Sequence, residues 1–229
     1  DAQVTNLGTL DVNFPLSVTN TGRIFDSSTG TLDIAAGGTL TVGDGTTKLG
    51  AGTTLLGTGT LDLAGAHALT LTGNVTLPSG GVTLGLSGTV TIDAASPVTL
   101  TNAGTLSFSG ETVNANVALA NQGVLNVING TSTINGALSN AATGTISIGP
   151  GTIFATNLLS VANGFTNNGV IDLNSHGCCA GINAQLSVVS GTLTNAVTGV
   201  IRSNGGVSAN VLDAQVTNLG TLDVNFPLS

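Results

Sequence analysis

Apolar and polar residues alternate along the chain in short runs, among them Leu10/Val12, Leu32/Ile34, Leu61/Leu63, Ile146/Ile148 and Ile171/Leu173. A period of two over four or five residues, bounded by Gly and Asn, predicts short half-buried strands. No stretch sustains the helical period of 3.6, and Gly and β-branched residues oppose helix throughout. The pattern therefore predicts an all-β chain.

One phrase recurs: an apolar residue, Thr/Ser/Ala, Asn, a short spacer, Gly, any residue, then Leu/Ile. It reads VTNLGTL at Val4–Leu10, VTNTGRI at Val18–Ile24, LTNAGTL at Leu100–Leu106 and LANQGVL at Leu119–Leu125. It returns as FTNNGVI at Phe165–Ile171 and VTNLGTL at Val216–Leu222, and with two extra spacer residues at Leu138–Ile146 and Leu193–Ile201. Between Thr29 and Ile92 the Asn is mostly missing, but the Gly-x-Leu half persists as GTLDI, GTLTV and GTLDL. A sandwich does not need the same phrase every ~20 residues, whereas a coil stacked on similar coils does. The spacing predicts a parallel, right-handed β-helix (β-solenoid) of 19–21 residues per coil, with about ten or eleven coils and a length on the order of 50 Å.

A second repeat is much longer. Asp1–Ser17 reads DAQVTNLGTLDVNFPLS, and Asp213–Ser229 repeats it residue for residue. Residues 1–212 are read as one tandem unit forming a continuous solenoid, and 213–229 as the start of the next (213 − 1 = 212). With no initiator Met and no signal peptide, the sequence reads as an excised piece of a longer polymer.

Asn tolerates the backbone of tight corners and bonds to nearby main chain. Stacked in successive coils it can also form a hydrogen-bonded ladder. Asn6, Asn20, Asn102, Asn121, Asn140, Asn167, Asn195 and Asn218 are the expected ladder.

Composition narrows the function. Only 6% of residues are charged, the net charge is −8, and three basic residues (Arg23, Lys48, Arg202) cannot build a phosphate-binding face. Nucleic-acid binding is excluded on that ground. With 41% hydrophobic residues the chain is not of the disordered class. No run of about 18 apolar residues predicts a membrane helix, and the aromatic girdles of a membrane barrel are missing; no membrane insertion of this segment is expected.

The TN-x-G-T-L-D-V phrases, with stretches such as GTGTLDLAGAHALTLTGNVTL, resemble the passenger repeats of filamentous-haemagglutinin-type exoproteins and autotransporter adhesins. The resemblance covers most of the chain. It implies a large bacterial fibre, exported and assembled at the cell surface, hence an extracellular location. The regular long repeat departs from an ordinary adhesin passenger and favours a polymer. Its partners are then further copies of the same repeat, within one giant chain or head to tail. The alternative is an adhesin passenger that binds a host receptor, a glycan or a surface. A minor alternative is an ice-binding solenoid, raised by the Thr-x-Thr pairs Thr39/Thr41, Thr58/Thr60, Thr70/Thr72, Thr89/Thr91 and Thr99/Thr101.

Chemistry is sparse. Asp11, Asp33, Asp62, Asp93, Asp172 and Asp223 each follow Leu or Ile and are expected to point outward, interleaved with Ser107, Asn126, Ser147 and Arg202 so that like charges do not stack. Such a column could collect Ca²⁺ weakly at the surface; no resident cofactor is expected. Glycoside hydrolysis needs paired carboxylates and sugar-stacking aromatics, and the chain has neither Tyr nor Trp; it is read as not an enzyme, with no catalytic, cofactor or metal residue assigned. Cys178 and Cys179 are adjacent, so their Cα atoms lie about 3.8 Å apart, below the usual disulfide span. A cross-link to another chain or repeat, unpaired thiols and a strained vicinal bridge all stay open. His176 adds a third soft ligand without a recognised zinc spacing. His67, in GAHAL, is read as a surface residue.

Overall fold

The computed structural model describes residues 3–149, 156–175, 183–205 and 208–229. These fold into parallel strands stacked as a β-solenoid of about nine turns, with no helix among the described residues. Each coil has three faces, here numbered in chain order. Face I holds Leu16–Thr19, Thr105–Phe108 and Thr221–Val224; face II holds Val4–Thr5, Ile24–Asp26 and Gly130–Ile134; face III holds Thr9–Val12, Thr31–Ile34 and Val98–Asn102. Three strands, Thr39–Leu49, Thr60–Leu71 and Thr83–Asp93, run over faces I and II without a break. The first two bend at Asp44–Gly45 and at Gly65, whose positive φ (55, 75 and 75°) takes the chain round the corner.

The core is a set of aliphatic columns. On face I, Leu16, Leu40, Leu61, Leu84, Leu106, Leu125, Ile146, Ile171, Ile201 and Leu222 stand in register, each on the residue before it. All but the two end members are buried. This is what the period of two accomplishes: alternate residues of every strand meet inside a continuous apolar shaft.

The turn count is lower than the sequence spacing predicts, because coils vary more in length than the phrase does. One step of this column takes 19 residues (Leu106 to Leu125) and another takes 30 (Ile171 to Ile201). Among the described residues some of the extra length lies at corners, as between Ser187 and Thr192, where the register shifts before the pairing resumes.

Candidate functional site

The residues most plainly organised by the fold are the corner asparagines. Asn102, Asn121, Asn140, Asn167, Asn195 and Asn218 stand one above another at the corner from face III to face I. Each Nδ2 donates to the Oδ1 of the next, at 2.8, 2.8, 2.7, 2.8 and 2.7 Å in chain order. The same Nδ2 also donates to the first backbone carbonyl of the next coil's face-I strand: Val124, Thr145, Val170, Val200 and Thr221. The ladder is polar, with every amide N–H aimed toward the C-terminal end. It starts at Asn102 because the position beneath is Leu77, which leaves Asn102 Oδ1 buried without a donor.

Asn6 and Asn20 stand outside this column, which corrects the expected eight-member ladder. Asn6 turns the corner from face II to face III, donating to Ser27 Oγ (3.1 Å) and Thr31 O (2.9 Å). Asn20 turns the corner from face I to face II, donating to Thr46 O at 3.0 Å. Both make the bond to the next coil's backbone that the ladder members make, but neither has an asparagine stacked on it. The reason is that the phrase specifies a corner, not which corner.

The paired glycine of the phrase is set by close approach. A Cβ at Gly123, Gly169 or Gly220 would collide with the backbone oxygen of Gly104, Gly144 or Gly199 in the coil beneath.

The acidic residues form no single column. Asp62, Asp172 and Asp223 lie on face I, Asp93 on face II, and Asp11 and Asp33 on face III. On face I, Asp172, Arg202 and Asp223 stack with alternating sign. On face III, however, Asp11 is in register with Asp33, two acidic residues on strands about 4.8 Å apart. Interleaving therefore fails there. Among the described residues no three His, Cys, Asp or Glu side chains converge on one point. The Thr-x-Thr pairs are likewise divided, Thr39/Thr41 on face I, Thr89/Thr91 on face II and Thr99/Thr101 on face III.

Two titratable side chains are buried where face II begins. His67 is only 4% exposed, with Nε2 2.9 Å from Thr47 Oγ1, which corrects its reading as a surface residue. Strand parity explains it: His67 points the same way as Leu69 and Leu71, into the core. Burial pushes its pKa below 6.5. Glu111, which no sequence pattern singles out, stands two coils further on with Val90 between. Its Oε2 accepts from Ser109 N–H and its Oε1 has no partner. Burial raises its pKa above 4.5.

Beside the ladder, the segment Pro78–Val82 overhangs a cleft of about 430 Å³ lined by Ala103, Gly104, Gln122 and Thr143. Cys178, Cys179 and His176 lie outside the described residues. No family model matches the chain, and neither a curated protein nor a solved structure does.

Proposed function

We propose that this chain is a structural repeat segment of a long extracellular fibre on a bacterial surface, a filament, stalk or sheath built by stacking β-solenoid repeats. The observation that carries it is the recurrence of Asp1–Ser17 at Asp213–Ser229, at opposite ends of one continuous stack. The described strands pair with strands of neighbouring coils, so the fold is built by self-stacking, and the likeness to filamentous-haemagglutinin-type repeats points the same way. The recurring residues pair with a coil on their C-terminal side in the first position and on their N-terminal side in the second, so the surface one copy presents is the one the other copy fills. The partner of this surface is the next copy of the repeat.

The test is electron microscopy of chains carrying one, two and four tandem copies. Each added copy should lengthen a single unbranched rod by about 45 Å, nine and a third coils at about 4.8 Å. Separate globules joined by thin linkers would refute the reading.

An adhesin remains the second reading, favoured by the Pro78–Val82 overhang. Its cleft, walled by Pro78–Thr83 and the neighbouring turns, would seat a glycan or peptide from a receptor. Binding of a host-cell ligand that is lost on deleting this overhang would support it.

A further inference from the structure

The seventeen residues that occur twice occupy different faces in their two positions. In the first copy, Val4–Thr5 lies on face II against Phe25–Asp26, Thr9–Val12 on face III against Thr31–Ile34, and Leu16 on face I against Leu40. In the second copy, Val216–Asn218 lies on face III against Leu193–Asn195, and Thr221–Val224 on face I against Val200–Ser203. Leu228 lies on face II against Asn210. All three segments have moved on by one face. Leu222 thus ends the column that Leu16 begins, while its twin Leu10 stands on another face. The face-II stack makes nine steps between Val4 and Asp213, and the chain then turns one more corner to reach Val216. The 212-residue unit therefore winds nine and a third turns.

We propose that the C-terminal end of the repeat is a docking surface for a second copy of the same repeat set one face on. Successive copies then share one solenoid but are rotated by a third of a turn. Three copies wind 28 turns (three times nine and a third), about 134 Å, before a given surface feature returns to the same edge. The inference rests on the fibre reading and adds its symmetry.

Three observations carry it. First, the two copies show both sides of one segment already occupied. Residues 4–17 are covered on their C-terminal side, by Phe25–Asp26, Thr31–Ile34 and Leu40–Thr41. Residues 215–224 are covered on their N-terminal side, by Thr192–Asn195 and Val200–Ser203. Applied together, the two sets of pairings leave the segment no open edge. Val12, with Ile34 stacked on it, is 2% exposed; its uncovered twin Val224 is 52% exposed.

Second, the glycine of the phrase is required only when a coil lies beneath it. A Cβ at Gly220 would collide with Gly199 O, whereas one at its twin Gly8 would meet nothing within 4 Å. Gly8 is thus shaped for a coil on its N-terminal side. Third, the corner phrase works at every corner: Asn6 turns face II to III, Asn20 face I to II, and Asn102 face III to I. A copy moved on by one face meets corners its own residues can already turn.

The experiment is cryo-electron microscopy of a chain of four tandem copies, each carrying Ala142→Cys with a gold label on a Cys178→Ser, Cys179→Ser background. Ala142 is exposed beside the ladder corner. An unlabelled chain, followed by the density of the Pro78–Val82 overhang, serves as the second measurement should the label disturb folding. The mark should step to the next edge of the three-sided rod with each copy and regain the first edge in the fourth. A mark on one edge in every copy, along a continuous rod, would overturn the rotation and leave the fibre standing. Copies resolved as separate rods would overturn the fibre reading, and the rotation with it.

Discussion

Replacing Asn140 by Ala cuts the ladder at its middle, while replacing Asn102 by Ala removes its first member, and the structure predicts unequal costs. Asn140 is fully buried, and its Nδ2 reaches Asn167 Oδ1 (2.7 Å), Val170 O (3.0 Å) and Gly144 O (3.3 Å). Truncation leaves Asn167 Oδ1 without its donor, about 1–3 kcal/mol, and removes backbone bonds of about 0.5–1.5 kcal/mol each. Asn121 Nδ2 loses Asn140 Oδ1 but keeps Thr145 O and Gly123 O. At Asn102 the loss of the donor to Asn121 Oδ1 is offset, because truncation also removes the buried Asn102 Oδ1 that has no partner. That relief is again about 1–3 kcal/mol. With the same side chain deleted, the void contributions largely cancel, leaving a gap of about 2 kcal/mol. For a domain of this size it corresponds to about 4–8 °C in Tm. Urea unfolding followed by circular dichroism measures it, provided the m-value is unchanged. Native-state hydrogen exchange at Val124, Thr145 and Val170 localises the loss should the stack open in parts. Asn102→Ala costing as much as Asn140→Ala would refute the ladder's polarity as the source of the difference.

Further outcomes follow from the same geometry. Gly169→Ala should destabilise strongly, since its Cβ would strike Gly144 O and Ala141 O, while Gly8→Ala should change Tm by less than about 1 °C. Leu125→Ala in the middle of the face-I column should cost about 2–5 kcal/mol; Leu222→Ala, at a site 46% exposed, should cost under about 1 kcal/mol in the single-copy chain. Glu111, with its pKa raised on folding, binds its proton more tightly in the folded chain, so stability falls as pH rises from 4.5 through the raised folded value. Glu111→Gln should therefore raise Tm at pH 7, and the gain should vanish below pH 4.5. His67, lowered on folding, acts in the opposite sense: its contribution is intact above pH 6.5 and declines as pH falls below it. His67→Val, which copies the Val90 that stands in register in the next coil, should flatten that decline in a Tm-against-pH series.

The fold was legible because the solenoid imposes one local rule on every coil. Alternation set the strands, and the phrase spaced at 19 residues between Asn102, Asn121 and Asn140 marked successive coils. The ladder followed from the same spacing, since identical offsets within a coil place identical residues on one another. What could not be read was the face on which a phrase falls. VTNLGTL at Val4 and at Val216 is the same text, yet one copy turns the corner from face II and the other from face III. Face depends on how many residues every intervening coil uses, and the spread from 19 to 30 hides it. The expected single column of aspartates failed for that reason, as did the membership of Asn6 and Asn20. His67 failed differently, and Glu111 was not singled out at all: a polar residue on the inward parity looks like a surface residue until the register fixes which way it points.

This freedom of face has a consequence for how such a chain can lengthen. A repeat of a whole number of turns would carry every corner phrase back to the same edge, so irregularities such as the Pro78–Val82 overhang would pile up along one side. A repeat of nine and a third turns distributes them over three edges, and any bending bias from one overloaded edge cancels over three copies. The requirement for it is local and already met, namely corners that the same Asn and Gly can turn on all three edges. The low charge belongs to the same logic. Stacking sets like positions about 4.8 Å apart, where like charges repel. Asn, Thr and Gly can occupy any face and any register without that penalty, and Asn gains a bond from each copy of itself it meets. Stacking alone favours residues that tolerate a copy of themselves one coil away, and a composition with 6% charge fits that demand.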